Sequence, residues 1–339
     1  MEWLGNIKKA MDNWQKPKEP SASTQTKAMR EVTNATASIY DAWGRVATTF
    51  QVTYQGTDYL ITSAHLTNNS RAQSTGYYDE DSFYFPIIKG NKLAFARQEI
   101  INPQGAPCSN NETFSANREY RDITILKLLD ERDSEHIALR ILEGDPDRAQ
   151  RLKSLLKSHS LDTKPATGTL TRAITSGFKL NSLDISEEIS SRNAPRTAST
   201  YSIGYPYDFP DPAYSSIDIK DLSNLPVNYK VKMDPYHSIK RGHSGGYMFD
   251  INDKGRRSAL GIVTGVDCNL DGYIVNISEV ITGLDVLQTK RQVEVSDVKE
   301  ICKKGTSVWL DPSFIPAYAP PPMPPISTPK PHQCPTKPR

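Results

Sequence analysis

Residues 241–250 read RGHSGGYMFD. Ser244 is followed by Gly245 and Gly246, and Gly242 stands two places before it. A nucleophile presented on a tight turn needs such neighbours. Glycine admits the backbone conformations that aim two N–H groups at one point. The residues after the turn, GYMFDI, read as a short strand. Taken alone, G-x-S-G-G is also the pattern of an ordinary hairpin turn, so its reading depends on what lies upstream.

Two upstream segments bear on it. YLITSAHLTNN (59–69) puts His65 directly after the β-type run Tyr59, Leu60, Ile61, Thr62. A histidine at the end of a buried strand is placed to act as a general base. YRDITILKL (120–128) opens an apolar strand with Asp122. A carboxylate there can be half buried and still orient an imidazole. The chain order is therefore His65, Asp122, Ser244.

These segments resemble those of the trypsin-like serine peptidases. TSAH (62–65), DITILKL (122–128) and GHSGG (242–246) match that family's T-A-A-H, D-I-A-L-L-K-L and G-D/N-S-G-G in the same order. SIGYP (202–206) is similar to the G-Y-P strand of bacterial and organellar members, and LGIVTGV (260–266) to the strand lining the family's substrate cleft. The resemblance spans roughly residues 45–290. It implies an all-β protein of two antiparallel six-stranded barrels with the active site between them.

Position by position, the resemblance implies Ser244 as nucleophile, His65 as its base and Asp122 as the group holding the imidazole. The N–H groups of Gly242 and Ser244 would form the oxyanion hole, and the Thr264 hydroxyl would support the buried aspartate. Around the primary pocket it implies Ser238 at the base, Val266 and Gly272 on the walls, Thr264 and Gly265 on the cleft strand, and Lys240 and Arg241 near the entrance. With no acid at Ser238, a preference for small or medium uncharged residues is expected over Lys or Arg. Digestive members carry an aspartate where this chain has His243, and that aspartate pairs with a freed N-terminus. Histidine cannot do so as an anion, so the site is expected to be competent as translated. His237 could border the cleft, whereas His136, His159 and His332 lie in polar or helical stretches and are expected in solvent.

Composition sets the remaining bounds. The 339 residues carry a formal net charge of +2, which supplies no global field toward nucleic acid. The four cysteines (Cys108, Cys268, Cys302, Cys334) form no C-x-x-C pair and no cluster with histidine, so no zinc ribbon is expected, and the peptidase resemblance implies neither metal nor cofactor. No run approaches the roughly 20 apolar residues of a transmembrane helix. The charged N-terminus MEWLGNIKKAMDNWQK does not read as a signal peptide, so an intracellular location is expected.

The expected layout begins with an N-terminal extension over 1–44. It comprises an amphipathic stripe (Trp3, Leu4, Ile7, Met11, Trp14), a linker over 16–26 and a helix over about 27–43. A first barrel follows over 45–144, then an interdomain helix and linker over 145–164 with Asp145 as N-cap. A second barrel covers 165–304 and ends in helices near 278–291 and 296–303. Eleven of the 24 prolines fall between Pro312 and Pro338, which makes 305–339 a polyproline or disordered tail. That tail is a spacer or a ligand for a partner's aromatic groove. The chain as a whole reads as a serine endopeptidase acting on protein or peptide. The alternatives are a catalytically idle peptidase fold used for binding, or a processing enzyme released from a larger precursor.

Overall fold

A computed structural model of the protein describes residues 22–41, 44–68, 83–101, 122–161, 174–190, 200–206, 211–217, 228–232, 242–252, 254–266, 271–288 and 308–309. The N-terminal stripe, the helix expected near 296–303, the proline-rich tail, all four cysteines, His237 and His332 lie outside the described residues.

Helix α1 (Ala22–Ala35) runs straight into strand β1 (Thr36–Tyr40). The helix expected over 27–43 thus starts earlier and stops at Ala35. All five side chains of β1 are buried, whereas a helix at the edge of a domain hides only one face. β1 is flanked on both sides. It pairs antiparallel with β2 (Val46–Tyr54), from Thr36↔Phe50 to Tyr40↔Val46, and with β4 (Tyr84–Lys89). Tertiary pairing therefore overrides a segment whose local pattern could also continue a helix.

With β3 (Thr57–Thr62), β5 (Lys92–Gln98) and β7 (Thr124–Leu128), these strands follow the order β1-β4-β5-β7-β3-β2. The β1–β2 pairing closes the ring into a six-stranded barrel, leaving no free edge among its strands. Two residues, Leu183–Asp184 (β8), add to β2 outside the ring in parallel, an exception to the antiparallel rule. A further short antiparallel pair joins β6 (Ile100–Ile101) to β15 (Val308–Trp309).

The link to the second lobe holds a helix short of the residues expected to be helical. Helix α2 (Ala64–Asn68) follows β3, and α3 (Glu131–Glu143) precedes the expected helix, here α4 (Pro146–Ser158). Asp130 caps α3 by accepting from the Asp133 N–H at 2.8 Å, and Asp145 caps α4 by accepting from Asp147 at 2.8 Å. Their apolar faces (Ile137, Ala138, Leu152, Leu156) bury Tyr40, Ile88, Leu93 and Phe95 of the barrel wall. His159, expected in solvent, instead caps α4 and packs edge-on against Tyr40, with the Tyr40 hydroxyl bonded to its Nε2. The sequence around it is polar, but the cap turns the ring inward. His136 is exposed on α3, as expected.

The second sheet is antiparallel and six-stranded. Its order is β10 (Ala213–Ile217), β9 (Thr200–Gly204), β12 (Tyr247–Ile251), β13 (Arg257–Val266), β14 (Asp271–Asn276), β11 (Asn228–Lys232). Strands β9, β12 and β13 fall on SIGYP, GYMFDI and LGIVTGV, the segments read as strands in the sequence. Helix α6 (Ile277–Gln288) follows β14 and packs Ile277, Val280 and Leu284 inward. One apolar cluster runs through both lobes. It joins Phe50, Val52 and Ile61 of the barrel to Ile203, Tyr247, Phe249 and Val275 of the second sheet, with Ala28, Val32 and Ala35 of α1 against it. At about 1.5–3 kcal/mol per large buried side chain, this shared core holds the lobes together.

A buried ion cluster ties α1 to the second sheet. Arg257 on β13 donates through Nε to Glu188 of α5 (Ile185–Ser190) at 2.8 Å, and through its guanidinium to Glu31 of α1. The Tyr247 hydroxyl donates to the other Glu188 oxygen. Burial pushes the Glu188 carboxyl above its ordinary range, against the pull of Arg257. Arg257→Ala takes the cation from a buried carboxylate and should cost about 3–5 kcal/mol in urea unfolding. Glu31→Ala, where the carboxylate is 45% exposed, should cost less than about 1 kcal/mol.

A second prediction concerns pH. Burial lowers the His159 pKa below its ordinary 6.5, so the unfolded chain binds more protons as acid is added. Stability contributed by neutral His159 is present above that value and is lost as pH falls below it. His159→Gln should flatten the fall in unfolding free energy over that acid range, measured by urea titration at a series of pH values.

Candidate active site

The barrel's own register brings His65 and Asp122 together. β3 and β7 are antiparallel with Thr62 opposite Thr124. Two residues beyond each pair the chain reaches Ala64 on one side and Asp122 on the other, so Asp122 lies beside the first turn of α2, which carries His65. Both carboxylate oxygens are used. Oδ1 accepts the His65 backbone N–H at 2.7 Å and Oδ2 accepts from Nδ1 at 2.7 Å. A carboxylate only accepts, so the proton sits on Nδ1 and Nε2 is the basic nitrogen. Asp122 is 1% exposed and the His65 side chain 21%, which leaves the anion dry and the imidazole reachable.

The Ser244 turn is held by main-chain bonds on every side. Gly246 N–H donates to His243 O at 2.8 Å, Gly245 N–H to Val263 O at 2.6 Å, and Thr48 N–H to Ser244 O at 2.7 Å. Gly242 and Gly245 have φ of 98° and 82°, where a side chain is strained. A Cβ on Gly245 would lie 2.1 Å from the Thr48 carbonyl and 3.0 Å from the Ser63 nitrogen. One on Gly246 would lie 2.2 Å from the Ile203 carbonyl. The turn therefore lies against the end of β3, two residues from His65. Because a peptide is planar and trans, tying the His243 carbonyl back to Gly246 points the Ser244 N–H the opposite way. Among the described residues neither that N–H nor the Gly242 N–H has an acceptor. The Ser244 hydroxyl rests on the Thr264 carbonyl at 3.2 Å.

The Thr264 hydroxyl does not support Asp122. It donates to the Tyr273 carbonyl at 3.2 Å. The cause is an irregularity in the β13–β14 ladder, where Val263 pairs with Ile274 but Gly265 with Tyr273. Thr264 is thereby left over and spends its hydroxyl on the neighbouring strand. Gly265 lies beside Tyr273, and Val266 faces Gly272 at the end of that ladder. Ser238 and Arg241 lie outside the described residues.

Two features were not read from the sequence. His243 is 1% exposed and its ring covers Gly204, where a Cβ would fall 2.5 Å from the imidazole. The glycine of SIGYP is thus required by a histidine 39 positions away in the chain. Thr48, whose only sequence signal is β propensity, sits at the centre of the contact between the two lobes. Among the described residues no group of three or more His, Cys, Asp and Glu side chains is placed to hold a metal ion, and no helix is long and apolar enough to cross a membrane.

A closed six-stranded barrel beside a second six-stranded antiparallel sheet makes a recognisable whole. The fold is that of the chymotrypsin-like serine peptidases. No family model and no curated protein sequence matches the chain. Among solved structures it is similar to the Rv3671c protease of M. tuberculosis H37Rv in an inactive form, with 15% identity and a TM-score of 0.43 over 80% of this chain and 97% of that one. It is also similar to a serine endoprotease from Yersinia pestis (14%, TM-score 0.42, 80% of this chain and 69% of that one). A third likeness is to Deg5 (12%, TM-score 0.42, 80% of this chain and 96% of that one). Likenesses this distant assign no residue a role, so the chemistry rests on the side chains of this chain.

Two glycines near Ser244 give a stability test. Gly246→Ala forces a methyl into the Ile203 carbonyl and should cost about 1–3 kcal/mol. Gly265→Ala, where a Cβ meets nothing within 4 Å, should stay within about 0.5 kcal/mol of the parent. Thermal unfolding of the two variants side by side makes the comparison.

Proposed function

We propose that the protein is a serine endopeptidase that cleaves peptide bonds through an acyl-enzyme. The observation that carries this reading is the two-point grip of Asp122 on His65, set beside the tightly fastened Ser244 turn. In the reaction the Ser244 hydroxyl turns from the Thr264 carbonyl toward His65 Nε2. Its oxygen attacks the substrate carbonyl carbon while its proton passes to Nε2, and Asp122 stabilises the imidazolium. The carbonyl electron pair moves onto oxygen, where the N–H groups of Ser244 and Gly242 receive it. Collapse expels the amine, which takes the proton from Nε2 and leaves an ester on Ser244. Water, deprotonated by the same imidazole, then releases the acid and restores the serine.

A fluorophosphonate probe should label the native chain, and Ser244→Ala should abolish both labelling and peptide cleavage. Asp122→Asn, which presents the wrong tautomer, should lower kcat by about 10⁴. A native chain that takes no label would favour a binding module on a peptidase fold.

The proposal extends to substrate choice. The cleft strand carries no charged side chain from Gly261 to Val266, which supports an uncharged primary pocket. Cleavage-site profiling on a proteome-derived peptide library should show small or medium uncharged residues before the cut. Dominance of Lys, Arg or acidic residues there would overturn that part of the reading.

A further inference from the structure

We propose that Thr48 is a positioning residue for Ser244, holding the nucleophile turn from the opposite lobe through its hydroxyl. The inference rests on Ser244 being the nucleophile and asks what sets its place relative to His65. Thr48 lies on β2, 0% exposed. Each of its polar groups has a partner across or along the seam. The amide N–H donates to Ser244 O at 2.7 Å, and the carbonyl accepts from the Thr62 hydroxyl at 2.7 Å. The side-chain hydroxyl donates to Gly242 O at 2.7 Å and accepts from Tyr205 N–H at 2.8 Å.

The carbonyls of Gly242 and of Ser244 itself are thus drawn to one residue of the barrel. A hydroxyl has a single proton. Because a carbonyl can only accept, that proton goes to the Gly242 carbonyl, while Oγ1 also accepts from the Tyr205 N–H. Gly242 needs such a hold. At φ 98° without a Cβ, its own sterics restrain ψ weakly. On the other side Thr62 stands three residues before His65. The path Thr62–Thr48–Gly242 therefore runs from the base to the nucleophile turn with no bond outside the buried seam. A valine at 48 keeps the strand and the volume but leaves the Gly242 carbonyl and the Tyr205 N–H unanswered.

The test uses the full-length chain and Thr48→Val, Thr48→Ala and Thr48→Ser. Two readouts are taken: the rate of fluorophosphonate labelling, and hydrogen exchange of the peptide spanning 242–250. Thr48→Val and Thr48→Ala should label about 100-fold more slowly, as expected for a displaced reacting group. Their 242–250 peptide should exchange about tenfold faster, the scale of losing about 1.4 kcal/mol of local hydrogen bonding. Thr48→Ser, which keeps the hydroxyl, should match the parent in both. Wild-type rates in the variants lacking the hydroxyl would overturn the proposal, as would equal losses in Thr48→Ser, which would assign the effect to packing. If Thr48→Val does not fold, Thr48→Ala against Thr48→Ser decides. If the parent takes no label the peptidase reading fails, and the exchange comparison still decides whether Thr48 holds the turn.

Discussion

Two β lobes meet here at a backbone-to-backbone distance that excludes any side chain. The turn carrying Ser244 lies so close to β2 and β3 that a methyl on Gly245 would overlap the Thr48 carbonyl, the Thr62 hydroxyl and the Ser63 nitrogen. Contact at that range is tolerable only when the polar groups of both backbones answer each other, because an unanswered buried amide or carbonyl costs about 1–3 kcal/mol. The bonds from Thr48 to the Ser244 and Gly242 carbonyls meet that requirement. They also make the seam directional: a glycine-rich turn that could adopt many shapes is left with one. The shared core behind it, from Phe50 to Val275, supplies the cohesion, and the seam supplies the geometry.

Buried charge is handled in two ways. At the site, Asp122 is dry but accepts two hydrogen bonds from one residue, so its desolvation is offset by groups that also orient His65. Behind the second sheet, Glu188 is offset by Arg257 and Tyr247, which draw α1 and α5 onto β13 and β12. The first arrangement leaves its imidazole partly open to solvent. The second closes entirely within the fold, apart from Glu31 at its margin. The two clusters thus differ in access, His65 being partly open and Glu188 buried.

Much of the site could be read along the chain because its requirements are local. A serine between glycines, a histidine after an apolar run and an aspartate before another are each legible within ten residues. Where local text admitted two conformations, the reading slipped. TASIY follows a helix without a proline or glycine break, and only its pairing with β2 and β4 makes it a strand. Helix α3 did carry its own signal, an Asp130 cap with Ile137, Ala138 and Ile141 on one face, and could have been found. The inward turn of His159 and the bond from Thr264 to Tyr273 could not, since each depends on a partner set by a cap or a ladder irregularity.

By itself the sequence determined which chemical groups are available and in what order. Side-chain chemistry and glycine permissiveness belong to single residues and their immediate neighbours. The tertiary structure alone decided which groups meet. The register of β3 on β7 put Asp122 beside His65, the histidine at 243 required Gly204, and the approach of two lobes made Thr48 the residue between them. Such outcomes follow from distances between segments remote in the chain, and those distances come into being only when the core has closed.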